Sequence, residues 1–551
     1  MLTRTAPHIV HFVADDLGWA NVGWHRAPHD AHDVRTPHLD SLVASGLELQ
    51  RHYAHKICSP SRCALQSGRA PIHVNVQNVL PEVVNARDPI GGYQGMPLNM
   101  TGIASVLRRG GYRTHLVGKW DVGMATPGHH PRARGYESFF GYWHHANDYW
   151  SHAVGKCSTL PIVRDLWRFN DTYDGPAVSM QNGPHCTQRS QQPAGELCAY
   201  EEELLSAEAA AVITRHDADA APLFLLYSSH LIHVPLQVPH KYEAAFSFIA
   251  DPFRRVSHAM ANYLDDQVGT VVTALQAKGM WEKTLFTFHS DNGGEIMAAG
   301  TCGGNNWPLA GGKFSNWEGG IRVNALVAGG ALPAARRGMR EPALTAVWDW
   351  YATYAAIAGC DPTDDAAAAA GLPPIDSINL WPLLSMTQPI TNTTDASTIR
   401  PPPRTELAIG DTSALGPNAD GNTLVGGVIL TDGDHLYKLL VGAPSRAHTI
   451  DQYVHTGPSW PNETSKLIPL THLKLCGRRA DIGCLFDVAA DPHEQTNLAA
   501  AMPERFEAML KRVDELQRSV YSPVRGETDP RACEVAQENS GYWGPFLGKP
   551  S

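Results

Sequence analysis

The sequence predicts an α/β protein built on a sheet covered on both faces. Three short apolar runs carry that expectation, and each ends in polar residues. Residues 9–14 precede Asp15 and Asp16, residues 223–227 precede Ser228, and residues 285–288 precede Asp291 and Asn292. Runs of this length without polar alternation suit strands buried on both sides. Helical patterns lie between them. Residues 101–109 carry Ile103, Val106 and Leu107, with Gly110 as a stop. Residues 256–278 carry Met260, Leu264, Val268, Val271 and Leu275 at helical spacing, ending at Gly279. Alternating strands and helices place ligands at the carboxyl ends of the strands, where the acidic pairs fall.

Composition shifts over residues 361–403. The alanine run from Ala366 to Ala370 and the prolines Pro401, Pro402 and Pro403 read as a surface loop and linker. This divides the chain into residues 1–403 and a smaller α+β domain over 404–551. In the second part, residues 427–430 and 435–440 flank Thr431, Asp432, Gly433 and Asp434, which predicts a hairpin. Phe506, Met509, Leu510, Val513 and Leu516 mark one late amphipathic helix.

The bulk properties exclude several classes. The chain has 551 residues, 43% of them hydrophobic and 18% charged, which suits a globular protein. Its net charge is −11 and no basic run stands out, so nucleic acid is not the expected partner. A polyanionic ligand must be met by local basic residues. No run of about 18 apolar residues occurs, so no membrane span is expected. No apolar leader precedes the strand-like run that begins at His8, so no signal peptide is read. Of ten cysteines, Cys186 with Cys198 and Cys476 with Cys484 are close enough to bridge a loop, but the connectivity stays open. Asn99, Asn170, Asn392 and Asn462 head glycosylation sequons.

Cys58 begins the most informative stretch, Cys58-Ser59-Pro60-Ser61-Arg62. Ser59 is a candidate cap, Pro60 suits a first helical position, and Gly68 can end the helix. Cys58 would then face the N–H groups and positive dipole end of the helix, a place that lowers a thiol pKa and suits an oxyanion. A buried or disulfide-bonded cysteine before an ordinary helix is the alternative. Asp15, Asp16, Asp291 and Asn292 offer hard oxygen ligands from two strand ends. That set fits Ca2+ or Mg2+ rather than zinc. A single such pair is more often a solvated loop or a helix cap.

The stretch from Cys58 to Arg62, followed by Leu65, Ser67, Gly68 and Arg69, resembles the signature of type I sulfatases. The resemblance implies conversion of Cys58 to formylglycine, the nucleophile, by a formylglycine-generating enzyme. VADDLGW around Asp15 and Asp16, and SDNGG around Asp291 and Asn292, resemble the family's two metal-binding blocks. They imply one divalent metal, with Ca2+ favoured, held by Asp15, Asp16, Cys58, Asp291 and Asn292. Arg62 matches the arginine that supports the formylglycine. Lys119 in Gly118-Lys119-Trp120, Lys313 in Gly312-Lys313-Phe314, and His233 in HVPLQVP match sulfate-contacting positions. GGNNWPL from Gly303, LFD from Leu485, DPHE from Asp491 and YWGP from Tyr542 are similar to blocks of the arylsulfatase B branch, the N-acetylgalactosamine-4-sulfatase type. The resemblance therefore implies an alkaline-phosphatase-like fold, a large mixed sheet flanked by helices with a smaller C-terminal α+β domain. It also implies a secreted or lysosomal location and a sulfated sugar, polysaccharide or aryl sulfate as substrate.

Two departures stand out. Where the family has a histidine after Gly-Lys-Trp, this chain has Asp121. In the family reading that histidine accepts a proton so that sulfate can leave. Asp121 is the expected acceptor here, although its ordinary pKa is about 3.9 rather than about 6.5. His115, His144, His145 and His152 are possible substitutes. No cysteine lies between Cys63 and Cys157, so the family's disulfides do not transfer as a set. The expected function is a sulfuric ester hydrolase. The alternatives are a catalytically impaired protein that binds sulfated ligands, and a phosphate or phosphonate ester hydrolase.

Overall fold

The computed structural model describes residues 6–26, 31–76, 81–158, 160–296, 302–385, 403–411, 424–442, 455–462 and 475–548. The expected apolar runs become the strands His8–Ala14, Leu223–Ser228 and Thr284–Ser290, and every residue in them is buried. His8–Ala14 pairs in parallel with both of the others. Arg113–Lys119 extends this parallel block beside Leu223–Ser228, and Ser138–Tyr142 follows it. Antiparallel strands complete the two sides. Ala325–Ala328 pairs with Thr284–Ser290 and with Leu47–Tyr53, while Trp167–Phe169 pairs with Ser138–Tyr142. The result is a mixed 11-stranded sheet.

Alternation along His8–Ala14 explains why both faces are covered. Ile9 and Val13 enter one apolar core, and Val10, Phe12 and Ala14 enter another. The first core includes residues of the helices Ile103–Arg109 and Asp349–Ile357. The second is closed by Glu201–Arg215 and the long helix Pro252–Ala277. That helix begins before the expected residue 256, because Asp251 accepts from Arg254 N at 2.9 Å and Pro252 follows it. The alanine run corrects the linker reading. Asp365–Ala369 is a short helix, with Asp364 as its cap. Pro401 and Pro402 lie outside the described residues.

A separate four-stranded antiparallel sheet contains Glu406–Asp411, Leu424–Asp432, His435–Leu440 and Cys484–Asp487. Its hairpin is tighter than the four-residue flank suggested. Asp432 pairs with His435, leaving Gly433 and Asp434 as the turn, with Gly433 at φ 59°. The helix Pro503–Gln517 buries the expected Phe506, Met509, Leu510, Val513 and Leu516. The chain then returns to the large sheet. Arg525 donates to Val74, Asn75 and Gly95 carbonyls, and Cys533 is bonded to Cys157. Cys186–Cys198 and Cys476–Cys484 are the other disulfides among the described residues. No described helix is long and apolar enough to cross a membrane.

Candidate active site

Four strand ends and one helix start meet at the carboxyl edge of the parallel block. Asp15 and Asp16 follow His8–Ala14, and Asp291 and Asn292 follow Thr284–Ser290. Ser228 ends its strand and Lys119 ends another. Gly118 is required just before Lys119: it has φ 98°, and a Cβ there would lie 1.9 Å from Ser228 O. The helix Cys58–Ser67 points its first residue into the same place. Its cap differs from the sequence reading. Ile57 holds the cap position and Cys58 is the first helical residue, two residues earlier than expected. Gly68 ends the helix at φ 67°, as expected.

The acidic residues are tied to cations. Lys119 Nζ donates to Asp15 Oδ2 at 2.7 Å, and Lys313 Nζ donates to Asp16 Oδ2 at 2.8 Å. Arg62 Nε donates to Asp291 Oδ2 at 2.8 Å, and a terminal nitrogen of Arg62 donates to Ser228 Oγ. Cys58 Sγ lies 3.4 Å from Asp15 Oδ1 and 4.0 Å from Asp16 Oδ1. His233 Nε2 is 3.7 Å from Asp16 Oδ2. Its Nδ1 donates to Val234 O at 2.6 Å, which leaves Nε2 as the lone-pair nitrogen of the neutral ring. Asn292 Nδ2 donates to Asp16 Oδ1 at 2.7 Å.

The carboxylates of Asp15 and Asp16 and the Asn292 amide oxygen are hard donors that suit Ca2+ or Mg2+, whereas Asp291 Oδ2 is taken up by Arg62 and Asp291 is outside the tightest cluster. Ligand atoms of Asp15, Asp16, Cys58 and His233 all lie within 4.8 Å of one another. Asn292 Oδ1 is buried and has no hydrogen-bond donor. A bound cation would satisfy that acceptor.

Electrostatics correct one expectation. The thiol of Cys58 is pushed well above its ordinary range, not lowered, because it is buried beside the Asp15 and Asp291 carboxylates. Lys119 and Lys313 oppose the effect without cancelling it. Burial works against the charges of Lys119 and Lys313 as well, yet Asp15 and Asp16 hold both ammonium groups above their usual range. Burial, Lys313 and Lys119 keep the His233 ring well below its ordinary value.

Asp121 sits inside this constellation. Its Oδ1 accepts from Ser59 Oγ at 2.7 Å, and its Oδ2 lies 3.7 Å from Lys119 Nζ. Burial raises its pKa, although Lys119, Arg62 and the Ser59 hydrogen bond all pull it down. Of the substitute histidines, His115 and His144 are engaged elsewhere, whereas His145 Nδ1 and both ring nitrogens of His152 are buried without a hydrogen-bond partner. His115 bonds Ser138 Oγ at 2.7 Å. His144 is clamped between Asp165 at 2.7 Å and Glu82 at 3.2 Å; burial works against its charge, but these acids push it up to about 10. Burial brings His152 down to about 4. Burial, then Lys119, brings His145 down to about 3.

Sequence reasoning missed Ser228, the Arg62 partner, and Ser59 as the partner of Asp121. The available signal for Ser228 is its place at a strand end. Ser59 reads as a helix cap because serine before proline carries that signal more strongly.

Paired acids, two buried lysines and a helix-borne cysteine converge at this strand edge. The sequence model of the Sulfatase family matches residues 7–360, and the chain belongs to that family. It is 28% identical over 552 residues to arylsulfatase J of Mus musculus, covering 98% of this chain and 80% of that protein. It is 29% identical to the N-acetylgalactosamine-6-sulfatase of Homo sapiens, over 69% of this chain and 66% of that protein. The arylsulfatase B branch is not singled out. Among solved structures, Ps i-CgsB in complex with k-i-k-neocarrahexaose superimposes with TM-score 0.67 at 22% identity, covering 97% of this chain and 98% of the other. The protein is thus a sulfatase with an alkaline-phosphatase-like mixed sheet.

Proposed function

We propose that this sulfatase removes sulfate from a sulfated sugar, with Cys58 converted to formylglycine by a formylglycine-generating enzyme. One divalent cation, with Ca2+ favoured, would be held by Asp15, Asp16, Asp291, Asn292 and the converted residue 58. The observation that carries the reading is Cys58 Sγ 3.4 Å from Asp15, whose other carboxylate oxygen binds Lys119. The human relative is named for a sulfated amino sugar, and Ps i-CgsB is complexed with a neocarrahexaose, which supports the sugar class.

When bound, the cation would offset the carboxylate charge and acidify the attacking oxygen, and the hydrated formylglycine would supply that oxygen. The chain's own residues do the rest. Lys119 keeps its proton, and both Lys119 and Lys313 meet the negative charge of the sulfate. Lys313 carries the proton needed by the leaving alcohol. His233 binds in its neutral form. Arg62 fixes Asp291 against the start of the helix. Asp121 presents Oδ2 as the proton acceptor that lets sulfate leave.

We further propose that residues 1–403 form the catalytic domain and 404–551 the C-terminal α+β subdomain. A secreted or lysosomal location is supported by three disulfides, which persist in oxidising compartments. Glycosylation is proposed at Asn99, Asn170 and Asn462; Asn392 lies outside the described residues. Mass spectrometry of the Cys58 peptide from the native host tests the central claim. Conversion lowers the peptide mass by about 18 Da relative to the thiol. A fully unmodified thiol in active enzyme rules out the formylglycine reading.

A further inference from the structure

The loop that carries Lys313 is closed by Glu318, and Glu318 is held from the small sheet. Lys438, inside the His435–Leu440 strand, places Nζ 3.0 Å from Glu318 Oε1 and 2.9 Å from Glu494 Oε1. All three side chains are 0% exposed. Glu494 Oε2 accepts from Glu318 N at 2.7 Å, and Tyr53 OH donates to Glu318 Oε2 at 2.9 Å. Arg322 stands 3.6 Å from the same oxygen.

The loop itself touches both halves of the active site. Lys313 N donates to Gly294 O at 3.1 Å, and Gly293 N donates to Gly320 O at 3.0 Å, just beyond Asp291 and Asn292. Phe314 N donates to Lys56 O at 2.8 Å, just before Cys58. Glu318 is therefore the point where the small sheet grips the segment that aims Lys313.

A buried charge triad is a poor way to gain stability. Desolvating three charges costs as much as their attraction returns, and an apolar cluster of the same volume often does better. Fixed directions are what such a triad supplies.

We propose that Lys438 and Glu494 are positioning residues for Lys313: through Glu318 they hold the Gly311-to-Gly320 loop in the register that binds sulfate. The inference rests on the sulfate role of Lys313 proposed above. It gives the small sheet a part in the reaction through Glu318.

Inorganic sulfate is the probe. Its affinity, by calorimetry on the whole protein, is compared for wild type, Lys313→Ala, the double variant Lys438→Met/Glu494→Gln, and all three changes together. The double variant removes the clamp without leaving two unbalanced carboxylates, and its fold is checked by thermal melting. It should bind sulfate about fivefold or more weakly and raise KM for an aryl sulfate. Added to Lys313→Ala it should cause no further loss, because both changes remove one interaction. Wild-type sulfate affinity in the folded double variant overturns the proposal, as do losses that simply multiply. If the double variant does not fold, the isosteric Glu494→Gln decides by the same two criteria. A Lys313→Ala protein that binds sulfate normally overturns the role of Lys313 itself, and the clamp falls with it.

Discussion

Ser59 donates from Oγ to Asp121 Oδ1 at 2.7 Å, so the residue next to Cys58 holds the acid that stands in the family's histidine position. The bond engages one carboxylate oxygen. The other, Oδ2, is buried without a hydrogen-bond donor and faces Lys119 at 3.7 Å. Asp121 is thus a fixed acceptor in the site, with burial lifting its pKa above the ordinary carboxylate value.

Asp121→Asn is expected to lower steady-state turnover about a hundredfold, the usual scale for loss of a general base. Release of the alcohol should survive as a single burst, since the loss falls on sulfate release. Stability should move the other way. An acid whose folded pKa is raised destabilises the fold as pH rises from about 3.9 through that raised value. The amide removes this term, so Asp121→Asn should melt higher than wild type at pH 7. Wild-type turnover in Asp121→Asn would exclude the acceptor role.

Chelation tests the cation. EDTA should abolish activity and lower the melting temperature, and Ca2+ should restore both. Saturation at 100 times Kd adds about 2.7 kcal/mol of stability. Asn292→Ala removes the acceptor that has no protein donor and should weaken Ca2+ binding at least about tenfold, read by calorimetry. Identical melting with and without chelator would exclude a bound structural ion.

The central strands were legible because they are fully buried and therefore continuously apolar, as in residues 9–14. The site acids were legible because each pair directly follows such a run. The antiparallel flanks were not: Trp167–Phe169 is three residues long and has no periodicity to read. The Ala366–Ala370 segment misled because an alanine run next to a composition break reads as linker, while Asp364 supplies a cap and makes it a helix. The lowered thiol pKa expected at Cys58 failed for a different reason. A helix start predicts the dipole, but not the carboxylates that distant strands bring beside the sulfur.

Cys157–Cys533 joins residues 376 apart in sequence, and that pairing could not be read from spacing. It pins the helix Arg531–Glu538 to the large sheet after the chain has left the small one. Cys533→Ser paired with Cys157→Ser should therefore cost about 2–5 kcal/mol in denaturant unfolding. The loss should be accompanied by faster proteolysis within residues 525–548. An unchanged midpoint would mean that the surrounding packing alone holds this segment.

Three buried histidines on strands of the large sheet make the fold sensitive to acid. His11 Nε2 and His289 Nε2 are 2.8 Å apart, so at least one of these nitrogens must lack a proton. His11 Nδ1 meets Tyr354 OH at 2.6 Å, and His52 Nε2 accepts from Trp350 Nε1 at 3.3 Å. Burial lowers all three, His289 to about 4 and the others well below 6.5. The sign follows from proton counting. The unfolded chain takes up protons near 6.5, while the folded His289 ring stays neutral down to about 4 and His11 and His52 resist protonation well below 6.5, so stability is full above 6.5 and falls as the pH drops below it. Each ring contributes a slope of up to about 1.4 kcal/mol per pH unit in that window. The melting temperature should drop steadily from pH 7 to pH 5, and His289→Gln should flatten the slope. A melting temperature that holds level to pH 5 would overturn the neutral cluster and favour the lysosomal alternative; the expected fall favours secretion into neutral surroundings.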